Sequence, residues 1–498
     1  MKPLGMLSWS ERDNLSLKTQ TISGVKWTTL STVVVNILQL TQIAILSRFL
    51  DPTAFGLMAL VTVVIGFSQA FLDMGISNAI IHKQQVSQDQ LSTLYWINVL
   101  AGLFLFIIIC GVAPFVASFY KETELTKLII LVAMSFLVQP FGQQFMVLWQ
   151  KEMRFREIAK IEIITKSFTF VVSVWLAYRG FGVYALVFGT LAGSVVQTTQ
   201  FIAAGMREYR PSFVFRIMEV KEYISFGAYQ MGERTVNYFN YQIDTMLIGK
   251  LLGVESLGIY TIAKQLIMKP ADIFNPIVTK VTFPAMSKIQ NETAKLKGIY
   301  LKTVNYLSSI NFPVYAFIFV FADDIVSILF GIKWIKAVPI IKILSIWGAL
   351  RSTINPIGSL LLAKGRANLG FWYNLALFFI VPGAIYVGSH WGLLGVCWTL
   401  LLLLFPFTMV AAWYFLVQPL CDAGFIEYHL QIFKPASIAL IAGIFAYLSI
   451  YLLDFGVLKF SVGTVVGLLF ALWLNWAWNR EFLVELKGIK GGESEIDK

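Results

Sequence analysis

With 498 residues, 57% of them hydrophobic and only 13% charged, this chain has too little polar surface to fold as a soluble globular protein, because soluble domains average about 25% charged residues. The apolar excess is spread along the whole sequence, which indicates that lipid is the solvent for most of it. The net charge of +11 is better explained by loops that face anionic lipid head groups than by a nucleic-acid partner, and we expect none.

The chain opens with a polar segment, 1–21, which contains Glu11, Arg12 and Asp13 and lacks the apolar run of a cleavable signal peptide. The hydropathy of the remainder predicts an all-α integral membrane protein with about 14 transmembrane helices. The predicted spans are 22–46, 55–80, 91–119, 128–148, 158–177, 183–204, 223–248, 257–281, 301–321, 337–362, 368–387, 393–417, 435–453 and 457–478.

These spans group into predicted domains. We expect a cytoplasmic N-terminal segment, a first lobe of six helices, a cytoplasmic linker, a second lobe of six helices, two further helices and a cytoplasmic tail. Their predicted bounds are 1–21, 22–205, 206–222, 223–417, 418–479 and 480–498.

The positions of the positive charges predict the orientation in the membrane. About 22 of the 39 Lys and Arg residues lie in the termini and even-numbered loops and about 8 in the odd-numbered loops, and short loops rich in Lys and Arg stay in the cytoplasm. Both termini are therefore predicted to be cytoplasmic, which requires an even number of spans. The same assignment places Arg216 and Lys295 inside, and Lys121 and Lys333 outside.

An internal repeat relates the two predicted lobes. Residues 47–57 follow the first span and 249–259 follow the seventh at an offset of 202 residues, which aligns Arg48 with Lys250 and Gly56 with Gly258. Because both copies begin from the same side of the membrane, they are expected to be parallel repeats about an axis along the membrane normal.

Charged and amide side chains within the spans are candidate functional residues, because polar groups at membrane depth are costly. Several of them recur at helical spacing and form stripes. The seventh span carries Arg234, Asn237, Tyr241 and Asp244, with Glu233 beside Arg234; the eighth carries Lys264, Lys269 and Asp272; the tenth carries Arg351 and Asn355; the first carries Lys26, Asn36 and Gln39; and the second carries Asp73.

One interpretation is that these stripes line a water-filled cavity between the lobes. The cations and the uncharged polar residues would then bind the substrate, and Asp73, Asp244, Asp272 and Glu233 would be ion-coupling or structural carboxylates. The alternative is that the charges pair with one another, while cations near helix ends, such as Lys26 and Lys166, extend toward the lipid head groups.

Signatures of enzymes are missing from the sequence. Gly249-Lys250 is followed by Leu251 rather than by the Ser or Thr of a phosphate-binding loop, and the three histidines are single and scattered. Cys110, Cys397 and Cys421 form no metal-binding or disulfide pattern. We therefore expect no catalytic residues, no cofactor and no metal.

Several motifs together resemble the polysaccharide-exporter branch, closest to the colanic-acid exporter type, of the multidrug/oligosaccharidyl-lipid/polysaccharide flippase superfamily. They lie between about Lys18 and Val417. The motifs are Lys18–Trp27, Leu50–Gly56, Asp73–Ile81, Leu94–Asn98, Gly142–Phe145, Gln150–Glu152, Asn275–Thr279, Phe283–Ala285 and Leu350–Gly358.

This resemblance implies two six-helix lobes in a V with two further helices beside them. It also implies a substrate, an undecaprenyl diphosphate that carries an oligosaccharide repeat unit. The substrate would be flipped to the outer leaflet of the bacterial inner membrane for exopolysaccharide, O-antigen or capsule synthesis. Membrane lipids, a polysaccharide polymerase and export machinery would be the partners. The resemblance assigns no role to individual residues.

Two other functions remain as alternatives. A cation-coupled drug antiporter of the same superfamily would need a net-anionic cavity, whereas the deep spans are basic. A membrane polymerase or glycosyltransferase would need a sizeable polar loop with catalytic carboxylates, and the internal linker 207–221 is too short for one.

Overall fold

The computed structural model describes residues 17–72, 77, 80–81, 86–451 and 456–479. Side chains are described at these positions except 17–22, 70, 221–234, 236–237, 277, 280, 404, 406–408, 449–451, 456–462, 464 and 468. The described chain is helical almost throughout and contains no strand.

The α-helices are numbered in chain order. They are α1 (Leu17–Phe49), α2 (Pro52–Leu72), α3 (Gln88–Tyr120), α4 (Glu124–Ala133), α5 (Ser135–Val138), α6 (Pro140–Lys151), α7 (Phe155–Tyr178), α8 (Tyr184–Gly205), α9 (Ile217–Lys288), α10 (Thr293–Val320), α11 (Ala322–Ile325), α12 (Val338–Ser352), α13 (Asn355–Ala363), α14 (Ala367–Ser389), α15 (Gly392–Leu404), α16 (Gln418–Cys421), α17 (Phe425–Tyr451) and α18 (Gly456–Trp478).

Ten helices of the described chain are long and apolar enough to cross a membrane, or 11 if one bent pair counts as a span. That pair bends by 53° between Glu124–Val138 and Pro140–Lys151, at a proline that lacks the N–H of a regular helix. Three shorter apolar segments follow, Gly392–Leu403, Met409–Cys421 and Val465–Trp478. The predicted all-helical membrane fold is confirmed, whereas the count of 14 is not.

Helix α9 is a hairpin rather than one straight rod. Gly253 has φ 80° and ψ 172°, a backbone conformation that is open almost only to glycine. Lys264 Nζ lies 2.7 Å from Asp244 Oδ2, although 20 residues of straight helix would separate them by about 30 Å. The parts 236–252 and 254–288 therefore run antiparallel, as expected for the predicted seventh and eighth spans.

The chain divides into two compact units. Unit 1 comprises the described residues up to Gln42 together with 64–117 and 123–235, and unit 2 comprises 43–63, 118–122 and the described residues from Val236 onward. Unit 1 thus extends past the predicted end of the first lobe at residue 205. The two six-helix lobes, with their predicted bounds, stay a prediction.

In unit 1, α7 and α8 approach each other closely along a row of small residues. A Cβ added at Gly189 of α8 would lie 1.8 Å from Ser173 Oγ of α7, and one at Gly193 would lie 2.1 Å from Thr169 Oγ1. Small residues let membrane helices pack at short range without help from the hydrophobic effect. This contact fixes the wall of the unit 1 cavity described below.

Ion pairs collect at one end of unit 1. Arg154 Nη1 lies 2.6 Å from Glu208 Oε2, and Arg216 pairs with Glu219 at 3.0 Å. Burial alone would lower the pKa of Arg154, but the hydrogen bond and the charge of Glu208 raise it. Burial raises the pKa of the neighbouring Tyr209 to about 12, so this hydroxyl stays protonated. The Arg154–Glu208 contact joins two loops at one end of the unit. The charge pattern predicts that both loops lie on the same side of the membrane.

In unit 2, the start of α2 crosses the second part of α9 in a reciprocal contact. A Cβ added at Gly56 would lie 1.9 Å from the Val254 carbonyl oxygen, and one at Gly258 would lie 1.8 Å from the Pro52 carbonyl oxygen. Pro52 aligns with Val254 and Gly56 with Gly258 at the repeat offset of 202 residues. This reciprocity supports the predicted duplication, whose direct test is superposition of the two halves.

Cations of the predicted outside loops cap helix ends near this crossing. Arg48 donates to the carbonyls of Ser327 and Ile328, and the aligned Lys250 donates to the carbonyl of Phe119. Lys and Arg favour the carbonyl ends of helices because those ends carry partial negative charge. The residues aligned by the repeat therefore make the same kind of contact.

The two helices outside the repeat pack on α10 in unit 2. Asn305 of α10 donates to Gln431 of α17 at 3.1 Å. Asn479, which follows α18, donates to Asn305 and Ser309 at 3.0 Å each. These buried amides link α17 and α18 to the unit through polar contacts, which hold helices together where lipid supplies no hydrophobic drive.

Candidate functional site

A cavity of about 280 Å³ in unit 2 is formed by both parts of α9, with α12, α14 and α15. Its charged lining residues are Asp244, Lys264 and Arg351. Asn240, Tyr241 and Asn374 add uncharged polar groups, and the remaining walls are apolar. A few convergent polar groups in an otherwise apolar concavity are typical of a small-molecule site.

The acid of this cavity is fully engaged by its neighbours. Lys264 Nζ lies 2.9 Å from Asp244 Oδ1 and 2.7 Å from Oδ2, and the Tyr260 hydroxyl donates to Oδ2 at 2.6 Å. The Thr245 backbone N–H donates to Oδ1 at 2.7 Å. Both charged side chains are largely buried. The hairpin at Gly253 brings this pair together, and the charge of Lys264 is compensated.

Arg351 is placed differently. It lies in the last turn of α12, where the carbonyl end of the helix favours a cation, and it is exposed. Its guanidinium lies 4.9 Å from the centre of the Trp347 ring, which holds it by a cation–π contact. No carboxylate among the described side chains lies within salt-bridge distance of Arg351. Of the described charges in this cavity, Arg351 therefore supplies the net positive one.

The structure brings together four of the residues selected from the sequence. Arg351, Lys264, Tyr241 and Asp244 line the unit 2 cavity. Three others in this unit, Lys269, Asp272 and Asn355, are described but do not line it. The assignment of any of these residues to substrate binding stays a prediction.

The predicted stripe of Arg351 and Asn355 is interrupted. Helix α12 ends at Ser352 and α13 begins at Asn355, because Pro356 has no N–H to bond the carbonyl four residues earlier. Arg351 and Asn355 therefore stand at the end of one helix and the start of the next rather than on one face of a continuous helix.

Residues predicted in the first span lie in unit 1. Lys26 is exposed, and Asn36 donates to the Thr32 carbonyl of its own helix at 2.8 Å. Gln39 lies one turn further along α1. None of the three residues lines the unit 2 cavity or the unit 1 cavity that is described next. Asp73 lies outside the described residues, as do the side chains of Arg234, Asn237 and Glu233.

Sequence reasoning missed a second cavity. It lies in unit 1, measures about 300 Å³ and is formed by α6, α7 and α8, with Gln69 of α2 and Gln139 between α5 and α6. Its polar lining is made of amides and hydroxyls together with Lys166. These residues are Gln69, Gln139, Gln143, Thr165, Lys166, Thr169, Thr190, Ser194, Gln197 and Thr198.

A signal for this cavity was present in the sequence. Thr190, Ser194, Gln197 and Phe201 follow one another on α8 at spacings of four, three and four residues, which places them on one face. This face carries no charge, so it does not stand out among the charged stripes of the sequence. Uncharged stripes in membrane helices also line cavities or polar interfaces.

The fold identifies the class of protein. A solved structure of the lipid II flippase MurJ in an inward closed conformation superposes with a TM-score of 0.72 at 13% identity, covering 92% of this chain and 100% of that one. The chain is therefore a multi-span membrane protein that shares the fold of that structure.

Sequence comparisons define the family. Residues 45–339 match the family described as polysaccharide biosynthesis protein. The chain is 34% identical over 436 residues to the teichuronic acid biosynthesis protein TuaB of Bacillus subtilis (strain 168), which covers 87% of this chain and 89% of TuaB. It is 33% identical over 427 residues to the lipopolysaccharide biosynthesis protein WzxC of Escherichia coli (strain K12), with 86% and 87% covered. The chain belongs to the polysaccharide biosynthesis protein family, and the resemblance noted in its motifs is confirmed.

Proposed function

We propose that this protein flips undecaprenyl-diphosphate-linked oligosaccharide repeat units from the inner to the outer leaflet for surface polysaccharide biosynthesis. The observation that carries the proposal is the guanidinium of Arg351, which has no salt-bridge partner among the described side chains, in a cavity whose other described charges, Asp244 and Lys264, neutralise each other. Relatives named for teichuronic acid and lipopolysaccharide biosynthesis support the polysaccharide, and the fold of a lipid II flippase supports the lipid carrier.

The chemistry of the substrate fits this cavity. A diphosphate carries at least two negative charges, and its transfer from water into a membrane needs a cation that offsets the lost hydration. Arg351 offers a planar fork of donors for phosphate oxygens. Asn240, Tyr241 and Asn374 offer further hydrogen-bonding groups. The prenyl tail stays in lipid, which dissolves it.

Transport would proceed by alternating access between inward-open and outward-open states. The protein would lie in the bacterial inner membrane with both termini in the cytoplasm, as its loop charges predict. Membrane lipids surround it, and a polysaccharide polymerase and export machinery would use its product. The protein would act as a transporter and not as an enzyme.

The test is export of surface polysaccharide by a deletion strain that carries each variant, measured beside the amount of protein in the membrane. Arg351→Ala should reduce export at least ten-fold at normal protein abundance. Arg351→Lys should retain part of the export if a point charge suffices, and little if the forked geometry is needed. Arg366→Ala, which removes an exposed arginine outside the cavity, is the matched control and should export normally.

Full export by Arg351→Ala would contradict the proposed role of this residue. Loss of export together with loss of the protein would mean that Arg351 stabilises the helix bundle instead. The sequence-based prediction that Arg234 shares this role is tested by adding Arg234→Ala to the same series.

A further inference from the structure

The lining of the unit 1 cavity does not suit the binding of a diphosphate. Among the described side chains that line it, Lys166 alone is charged, and no carboxylate is present. A diphosphate would need several cations or helix ends, and a metal cation would need acidic oxygens. The lining instead offers four glutamine amides and five hydroxyls, which both donate and accept hydrogen bonds.

Much of this hydrogen-bonding capacity is unused within the described chain. Gln139 donates to Ser194 at 3.1 Å, but the side-chain amides of Gln69, Gln143 and Gln197 make no hydrogen bond to another described residue. Thr165 Oγ1 is buried without a described partner, and the residue is only 5% exposed. A buried hydroxyl without a partner destabilises the protein, so a group that bonds it on binding would recover that free energy.

We propose that this cavity is a carbohydrate subsite that holds part of the oligosaccharide of the flipped lipid. Sugar hydroxyls donate and accept hydrogen bonds, as the amides and hydroxyls of this lining do, and the largely buried Phe201 adds an apolar part to the lining. At about 300 Å³, the cavity is at the small end of ligand pockets and accommodates about one sugar unit. The inference rests on the proposed function.

The experiment compares two lipids for each purified variant. One probe is the lipid-linked oligosaccharide extracted from membranes of the deletion strain, and the other is undecaprenyl diphosphate without sugar. The double variant Gln143→Leu, Gln197→Leu should bind the sugar-bearing lipid at least ten-fold more weakly, which corresponds to about 1.4 kcal/mol. Its Kd for undecaprenyl diphosphate should be unchanged.

Two further variants control for damage to the fold. Gln200→Leu changes the same residue type on α8 but outside the cavity lining, where Gln200 bonds the backbone of its own helix, so both Kd values should match those of the wild type. Thr165→Val keeps the side-chain shape and removes the unpartnered hydroxyl. It should raise the unfolding temperature yet weaken binding of the sugar-bearing lipid alone.

The outcomes separate the two proposals. If the glutamine and threonine variants bind the sugar-bearing lipid as tightly as the wild type does, while Arg351→Ala weakens binding of both lipids, the cavity holds only water and the subsite is wrong. If the wild type binds neither lipid, the proposed function itself fails. Selective weakening of the sugar-bearing lipid by the cavity variants supports both.

Discussion

The two cavities solve the problem of polar groups at membrane depth in different ways. In the unit 2 cavity, opposite charges lie together: Lys264 and Asp244 neutralise each other, and Arg351 has no salt-bridge partner among the described side chains. In the unit 1 cavity, nearly all polar lining groups are uncharged amides and hydroxyls, and close helix contacts at glycines hold the walls. In the unit 2 cavity, charge would therefore determine both stability and the proposed recognition, whereas in the unit 1 cavity the residues that pack the walls differ from those proposed to bind the sugar.

The largest expected effect follows from breaking the ion pair of unit 2. Asp244→Asn would leave Lys264 without its carboxylate in a largely buried site, which should cost about 3–5 kcal/mol in the free energy of unfolding. Thermal unfolding of the purified protein and its abundance in the membrane would report the loss. The double variant Asp244→Asn, Lys264→Met should recover most of it, because it removes the unpaired charge. A fully stable Asp244→Asn protein would show that the pair contributes no stability.

A smaller effect is expected from the wall of the unit 1 cavity. Gly189→Ala would place a Cβ 1.8 Å from Ser173 Oγ, and the required shift of α7 against α8 should cost about 1–3 kcal/mol. Ser173→Ala in the same chain should relieve part of the cost. Gly111→Ala is the control, because its Cβ would meet nothing within 4 Å. Equal unfolding temperatures for the two alanine variants would mean that this helix contact is loose.

The smallest effect is expected at the one charge of the unit 1 cavity. Lys166→Met should change the free energy of unfolding by no more than about 0.5 kcal/mol, because Lys166 is exposed and no acidic residue lines its cavity. Lys264→Met, which removes the partner of a buried carboxylate, is the matched comparison and should be far more destabilising. A large loss for Lys166→Met would indicate that this lysine, too, has a structural partner.

Sequence reasoning reached most of the fold because the information is local and periodic. Apolar runs predicted the membrane helices, and the 53° bend within one of them falls at Pro140, where the missing N–H breaks the helical hydrogen bonds. The hairpin between the seventh and eighth spans was also expected. The number of spans was harder to determine, because Met409–Cys421 and Val465–Trp478 are short apolar segments whose role depends on their neighbours.

The candidate sites were predictable only in part. Deep charges such as Arg351, Lys264 and Asp244 stand out against an apolar background, so the unit 2 cavity gave a clear signal. Which of these cations is compensated depends on a contact across the hairpin at Gly253, and spacing along one helix cannot reveal it. The stripe on α8 was visible in the sequence, but the other hydroxyls and amides of the unit 1 cavity lie on several helices and are common in membrane spans, so their convergence in space was needed to identify the cavity.

The crossing of Gly56 and Gly258 has a consequence for the predicted repeat, because it would constrain how its two copies can diverge. The contact is made by backbone atoms. Each glycine lies against the carbonyl of the residue four positions before the other glycine. Such an arrangement is isologous, like the contact of a two-fold symmetric dimer. A single half-length chain with one glycine would form it with a second copy of itself. On the predicted duplication, fusing the two copies would need no new contact at this point, and each glycine would limit which residue its counterpart could accept.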